Sequence, residues 1–345
     1  MTETLGDLGE KKLQQLLRKY LGEDEQIVRT FSEDCAVIDS GGRSYHLYSV
    51  DCLVETVHFR REYMPFFYVG RKAIKVNLSD IASMGGTPRH YLVSIGAPAN
   101  TPVQVLLDIY DGMSSVTRDL GVQLIGGNLA SSPQLFIDVT VMGTVLKGKI
   151  IQRNGAKIGD LIYVTGYLGN SAEGLELLRD GFRLMGDGVI LPDQQRDSHF
   201  VTEAILSHID PPCLVDVARK LAQTSTLTSM IDLSDGISSD LCEICRESEV
   251  GARIELARIP IAPSVLYWER KRNRDPRILA LRGGEDYHLL FTVSSKFREM
   301  FLRRMEPLKI DLFEIGQVVP SSQGVQAFDE NGKSYPLEEG YQHFK

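Results

Sequence analysis

Six aspartates, Asp34, Asp51, Asp80, Asp232, Asp235 and Asp286, stand at the ends or interruptions of predicted elements, near Gly, Ser or Asn, rather than on charged surface helices. Any one of them could be a helix cap or a turn residue, because a short carboxylate accepts nearby backbone N–H groups. As a set they suggest other chemistry. Carboxylates gathered in a half-buried place repel unless cations lie between them; at ~4 Å two unit charges repel by roughly 4 kcal/mol at an effective dielectric of about 20. A convergent set implies magnesium, and magnesium on carboxylates implies phosphate substrates. The chain carries 38 Lys and Arg against 46 Asp and Glu, a net charge of −8. That argues against a general nucleic-acid or membrane binder and requires bound phosphates to be neutralised locally.

The elements that must position these residues are partly legible. YHLYSVD (45–51) reads as a strand that places Leu47, Ser49 and Asp51 on one face and Val50 on the other, with Asp51 at the strand end. Residues 70–85 read as a helix in which Asn77 and Asp80, three apart, share a face. A second helix has Thr101 as N-cap, Pro102 in its first turn, an apolar stripe of Val105, Ile109, Met113, Val116 and Leu120, and Gly121 as its stop. Leu135, Ile137, Val139 and Val141 alternate as in a strand. Leu13, Leu16, Leu17, Tyr20 and Leu21 predict an amphipathic helix over 9–21 that packs on the core.

At 345 residues the chain is long enough for two domains. The polar, glycine-bearing stretch near 147–159 sets the expected boundary, giving domains 1–148 and 149–345. In the second half, 163–171 reads as strand, glycine turn and helix start, a shape able to receive an anion on backbone N–H groups. Residues 181–199 read as a loop. The basic run ERKRNRDPR (269–277) reads as a solvated helix end, since no aromatic interleaving accompanies it. Five scattered cysteines fit a reducing compartment, and Cys242 and Cys245 read as structural thiols. The N-terminus has no apolar signal core and no twenty-residue apolar stretch follows, so the expected location is cytoplasmic. There is no Walker-type loop and no protein-kinase HRD or DFG set.

Seven strings, SEDCAVI (32–38), DCLVETVHF (51–59), KVNLSDIASMGGTP (75–88), GGN (126–128), RNGAKIGD (153–160), IDLSDGISSDL (231–241) and GGEDYHLLF (283–291), fall in the order found in thiamine-monophosphate kinases, and the chain resembles that family over nearly its whole length. Its superfamily includes aminoimidazole ribonucleotide synthetase, selenophosphate synthetase and a hydrogenase-maturation protein. The resemblance implies a mixed α/β (α+β) two-domain fold of the aminoimidazole ribonucleotide synthetase type, whose N-terminal domain forms a dimeric β-barrel. It implies ATP as phosphoryl donor, several Mg2+ ions, thiamine monophosphate as acceptor and a homodimer, with no nucleic-acid or membrane partner. Carried over by position, magnesium ligands would be Asp34, Ser49, Val50, Asp51, Asp80, Asn128, Asp232 and Asp235. ATP would lie near Gly127, Asn128, Arg153 and Ser234. His58, Glu285 and Tyr341 would border the thiamine phosphate, with a hydrogen-bonded core histidine as the plainer reading of His58. Asp51, Asp80, Arg153 and Asp235 would carry catalysis. No general base is implied, because the nucleophile is a phosphate oxygen already anionic at neutral pH.

The match breaks at four places. Ser32-Glu33-Asp34 replaces Gly-Asp-Asp, Ser49-Val50-Asp51 replaces Thr-Thr-Asp, Thr56 replaces the glycine before the histidine, and Asn128 replaces the aspartate of Gly-Gly-Asp. Asn128 offers a neutral carbonyl oxygen and Val50 only its backbone, so one ion of the cluster is expected to be weakly held. Two other readings share these residues: a divergent superfamily enzyme using ATP on another small substrate, and a nucleotide-binding paralogue without turnover.

Overall fold

The computed structural model describes residues 4–22, 24–30, 32–185, 188–190 and 198–337. Two mixed sheets organise them. The first is built from β1 (Ile27–Arg29), β2 (Ala36–Ile38), β3 (Ser44–Val54), β4 (Thr87–Ala97), β5 (Gln123–Ser131) and β6 (Phe136–Leu146), in the order β1-β2-β3-β6-β4-β5. All its pairings are antiparallel except β4 with β5. Helices α1 (Leu5–Leu8) and α2 (Glu10–Leu17) precede this sheet, and α3 (Phe66–Ser83) and α4 (Val103–Leu120) accompany it.

The second half contains α5 (Asn170–Arg179), α6 (Ser198–Ile209), α7 (Val215–Gln223), α8 (Ile237–Glu247), α9 (Pro263–Lys271), α10 (Arg277–Arg282) and α11 (Arg298–Met305). Its strands are β7 (Leu161–Thr165), β8 (Arg183–Met185), β9 (Gly188–Ile190), β10 (Leu227–Asp232), β11 (Val250–Glu255), β12 (Leu289–Val293), β13 (Leu312–Pro320), β14 (Val325–Phe328) and β15 (Ser334–Pro336). The large sheet runs β10-β12-β7-β13-β11-β14-β15. Period-two geometry divides its side chains between two cores. Tyr163, Met230, Leu289 and Phe291 join the cluster that continues into the first sheet, while Ile162, Val164, Ile231 and Leu290 pack with α8 on the other face.

Helix α3 lies centrally, packed on β3, β6, α4, α7 and β10. Its approach to α4 depends on two glycines. A Cβ on Gly70 would sit 1.9 Å from the Ile109 carbonyl oxygen, and one on Gly112 would sit 2.0 Å from that of Phe67. Backbone-to-backbone packing of this kind excludes any side chain at either position. Because α3 is covered all round, Lys72, Lys75, Asn77, Ser79 and Ser83 are buried on it and need polar partners.

Several expectations need correction. The strand carrying Asp51 continues to Val54, so Asp51 is inside it rather than at its end. The N-cap of α4 is Pro102, with no side-chain bond from Thr101. The N-terminal helix breaks at Gly9 and leaves Leu16 54 %, Leu17 49 % and Tyr20 75 % exposed, because no element of the described chain covers its apolar face. The 181–199 stretch holds the antiparallel pair β8 and β9 and the start of α6. The basic run ends α9, but Arg272 pairs with Glu173, Glu269 and Asp180, and Arg274 with Glu176, so much of its charge is consumed within the protein. Among the described residues no helix is long and apolar enough to cross a membrane.

Candidate metal and phosphate site

Alternation along β3 turns Leu47, Ser49 and Leu53 inward, with Val50 exposed on the opposite side. Helix α3 presents three polar residues toward β3 and β10, and each is tied to a different residue of those strands. Asn77 accepts the Asp51 backbone N–H through Oδ1 at 2.9 Å and donates through Nδ2 to the Ala73 carbonyl at 3.0 Å. Ser79 Oγ donates to Asp232 Oδ2 at 2.6 Å. Asp80 accepts a hydrogen bond from Ser49 Oγ. One buried helix thus aligns carboxylates from two sheets.

Asp34, Asp80 and Asp232 each offer a carboxylate oxygen, and these oxygens all lie within 4.8 Å of one another. Burial first, and then the charges of its neighbours, pushes Asp80 well above the usual carboxylate range. Asp232 rises to about 8, from burial and then Asp34, against the opposing bond from Ser79. Asp51 is exposed on the open side of the cluster, yet the surrounding protein raises it to about 6, with Asp34, Asp138 and Asp235 adding to the shift. Without a cation these groups must take up protons.

Arg153 donates through Nε to Asp34 Oδ1 at 3.1 Å, with Nη2 on the same oxygen. The other oxygen, Asp34 Oδ2, is buried and has no hydrogen-bond partner. An orphaned carboxylate oxygen, facing two more carboxylates in an all-oxygen donor set, suits a hard divalent cation such as magnesium. Asp34, Asp80 and Asp232 would hold it, with Ser49 and Asp51 beside them.

Asp235 raises the Asp51 and Asp240 pKa values from just outside this cluster, and its backbone N–H donates to Asp240 Oδ2 at 3.3 Å. Ser234 lies in the turn that packs against the GGED loop. A Cβ on Gly284 would meet the Ser234 carbonyl oxygen at 2.7 Å, which explains a glycine there, and Glu285 N–H donates to that same oxygen at 2.7 Å. The two strings are therefore one structural unit. His58 Nδ1 accepts the Val54 backbone N–H at 3.0 Å, and the imidazole acts on the Glu285 carboxyl. Tyr341 lies outside the described residues.

Gly127 and Asn128 are elsewhere. Both lie on edge strand β5, exposed along its whole length, and pair with Val93 and Ser94 of β4. Those residues face Val139 and Asp138 of β6, which face Asp51 and Cys52 of β3. Three strand spacings, roughly 14 Å, separate Asn128 from β3. Within the chain the sheet does not bring Asn128 to the cluster.

Sequence reasoning missed four acidic or basic participants. Glu33 accepts the Arg153 backbone N–H at 2.8 Å and is raised to about 7, chiefly by burial. Asp240 is buried beneath the SDG turn. Asp138 contributes to the field at Asp51. Lys72, fully buried, lies 2.8 Å from Glu285 Oε1. The adjacency of Glu33 to Asp34 was a usable signal; Lys72, with Lys75 and Ser79 on neighbouring turns of the same helix, offered none.

The likeness to known proteins agrees with this geometry. Residues 32–145 match the AIR synthase related protein N-terminal domain and residues 157–327 the corresponding C-terminal domain. The thiamine-monophosphate kinase of Bacillus subtilis (strain 168) is 33% identical over 315 residues, covering 91% of this chain and 92% of that one. That of Aquifex aeolicus (strain VF5) is 30% identical over 340 residues, covering 99% of each. The solved structure of AaThiL complexed with AMPPCP and TMP superimposes with a TM-score of 0.83 at 30% identity, over 99% of both chains. With both domain models, the end-to-end identity and the three-carboxylate cluster in agreement, the chain belongs to the thiamine-monophosphate kinase family.

Proposed function

We propose that the protein transfers the γ-phosphoryl group of ATP to thiamine monophosphate, forming thiamine diphosphate in one in-line step. The observation that carries this reading is the Asp34–Asp80–Asp232 cluster with its orphaned oxygen, in a chain that aligns from end to end with kinases of this specificity. Magnesium held by Asp34, Asp80 and Asp232 would supply charge neutralisation between the two polyanions. The chain's own work is positional. Asn77, Ser79 and Ser49 fix the acidic positions, and Arg153, anchored by Asp34 and by its backbone bond to Glu33, offers a guanidinium on the ATP side. The acceptor phosphate is anionic at neutral pH, so no side chain need remove a proton.

In this reading Asp51, Asp80, Arg153 and Asp235 serve catalysis, Gly127, Asn128 and Ser234 border ATP, and His58, Glu285 and Tyr341 border the acceptor. Residues 1–148 form the ATP- and magnesium-binding domain and 149–345 the second domain, in a cytoplasmic enzyme. The first sheet also forms the homodimer contact and contributes to a shared barrel. An unpaired edge strand bearing exposed Leu124, Ile125 and Leu129 supports that assignment, since such an edge otherwise invites aggregation.

The test supplies ATP and thiamine monophosphate across a wide magnesium range and follows thiamine diphosphate. A folded sample that binds ATP yet forms no product at any magnesium level overturns the assignment. Asn128→Asp sharpens it: a lower magnesium requirement places position 128 in a metal shell, and an unchanged requirement removes it.

A further inference from the structure

A lysine buried without exposure is rare and needs a charged partner. Lys72, in the middle of α3, is such a residue. Its Nζ lies 2.8 Å from Glu285 Oε1 as an ion pair, and it has no hydrogen-bond partner among the described residues. The second carboxylate oxygen, Glu285 Oε2, lies 3.3 Å from His208 Nδ1, which is also 3.2 Å from Ser171 Oγ. Three elements therefore meet at one carboxylate, α3, α6 and the loop before β12, and α5 joins them through His208. The loop itself is constrained, with Glu285 at φ +65° and Tyr287 at φ +49°. Even so, 27 % of the Glu285 side chain remains open, and His58 acts on it from the direction of β3.

Burial alone would push the Glu285 carboxyl up, but Lys72 above all outweighs it and holds the group below its ordinary range. His208 is pushed down to about 3 by burial and then by Lys72, so it is a neutral hydrogen-bonding group at neutral pH. One ammonium and one neutral imidazole thus lie against the two oxygens of an anionic carboxylate that is still partly open.

We propose that Lys72 is a positioning residue for the acceptor: it fixes the direction of the Glu285 carboxylate toward bound thiamine monophosphate. The assignment rests on the reading that Glu285 borders that substrate. Lys72 touches neither substrate, and its effect passes through Glu285.

Steady-state kinetics on the full chain test this with Lys72→Met, Glu285→Gln and the double variant. Each single change is expected to raise KM for thiamine monophosphate roughly tenfold, the scale of one charged hydrogen bond, while KM for ATP stays within about twofold. The double variant is expected to match the larger single effect, because residues acting through one contact are not additive. Additive effects, or equal rises in both KM values, overturn the proposal and leave Lys72 as a tie between domains. If Glu285→Gln leaves KM for thiamine monophosphate unchanged, the substrate-side reading of Glu285 fails and the proposal with it. Should Lys72→Met not fold, the double variant, which has no unpaired buried charge, is compared with Glu285→Gln alone: equal KM supports the proposal, and a further rise overturns it.

Discussion

Two regions of this molecule bury aspartates in opposite ways. At the N-terminus of α5, Asp286 accepts the Gly169 N–H at 2.6 Å and the Ser171 N–H at 3.1 Å. Between the sheets, Asp34, Asp80 and Asp232 face one another, with one buried oxygen left unpaired. Asp286 is raised to about 7 by burial, against the backbone donors that lower it. Its charge, when present, is answered by N–H groups and a helix dipole. The other three are answered by little except one arginine and two hydroxyls. Burial does not distinguish the two regions; the partner does.

Removing a carboxylate from each region should break the likeness between them most visibly. Asp80→Asn or Asp232→Asn is expected to lower kcat/KM by more than about 100-fold, since several kcal/mol of charge stabilisation go with each metal ligand. The same change should raise thermal stability in EDTA, by relieving repulsion among the remaining acids. Calorimetry with and without magnesium reads both effects. A variant that loses stability in EDTA and keeps its activity would place the cluster with Asp286 instead. For Asp286→Ala the expected order is reversed: a loss of about 1–3 kcal/mol from orphaned buried N–H groups, with the magnesium requirement of the residual activity unchanged.

A pH titration sharpens the contrast without mutation. Asp51 and Asp232 have folded pKa values of about 6 and about 8, above the ordinary value of 3.8. The folded state then binds more protons than the unfolded one, and magnesium-free stability falls as pH rises from about 4 through 8. Saturating magnesium should reduce that slope, leaving the part due to Asp286, Glu33 and Glu173, each raised to about 7 by burial. A slope equal with and without magnesium would show that the cluster does not bind the ion.

The same contrast explains what could be read in advance. Ser49 and Asp51 followed from alternation along one strand, and Asn77 and Asp80 from helical spacing, because both periods are local. The strand–turn–helix at 163–171 was legible as an anion site, but not that its anion would be Asp286, more than a hundred residues away in sequence. Long-range pairing leaves no local trace. Lys72 was hidden for the same reason: its partner Glu285 comes from the other half of the chain. The exposed apolar face of α2 was misjudged because periodicity reports that a face is apolar and not what covers it. The family strings carried the convergence of Asp34, Asp80 and Asp232, which spacing alone could not supply. The strings say nothing of the register that sets Asn128 three strands from Asp51 within the chain.

The smallest expected effect lies where this chain departs from its family, in the turn that carries His58. Thr56 occupies the position of the family glycine before the histidine and adopts φ +71°, a region that a β-branched residue enters only under strain. Its backbone still serves the turn, donating to the Phe59 carbonyl at 2.7 Å, and its Oγ1 accepts from Gln134 Nε2 at 2.9 Å. Thr56→Gly would relieve about 1–3 kcal/mol of strain and lose about 1 kcal/mol of hydrogen bonding, while a freer unfolded chain offsets roughly another 0.5–1 kcal/mol. The balance favours glycine by about 1 kcal/mol or less, a rise of a few degrees at most in Tm. Activity should not change, because the turn that carries His58 keeps its backbone bonds. A lower Tm for Thr56→Gly would mean that the Gln134 contact outweighs the strain, and that the threonine stabilises the turn it distorts.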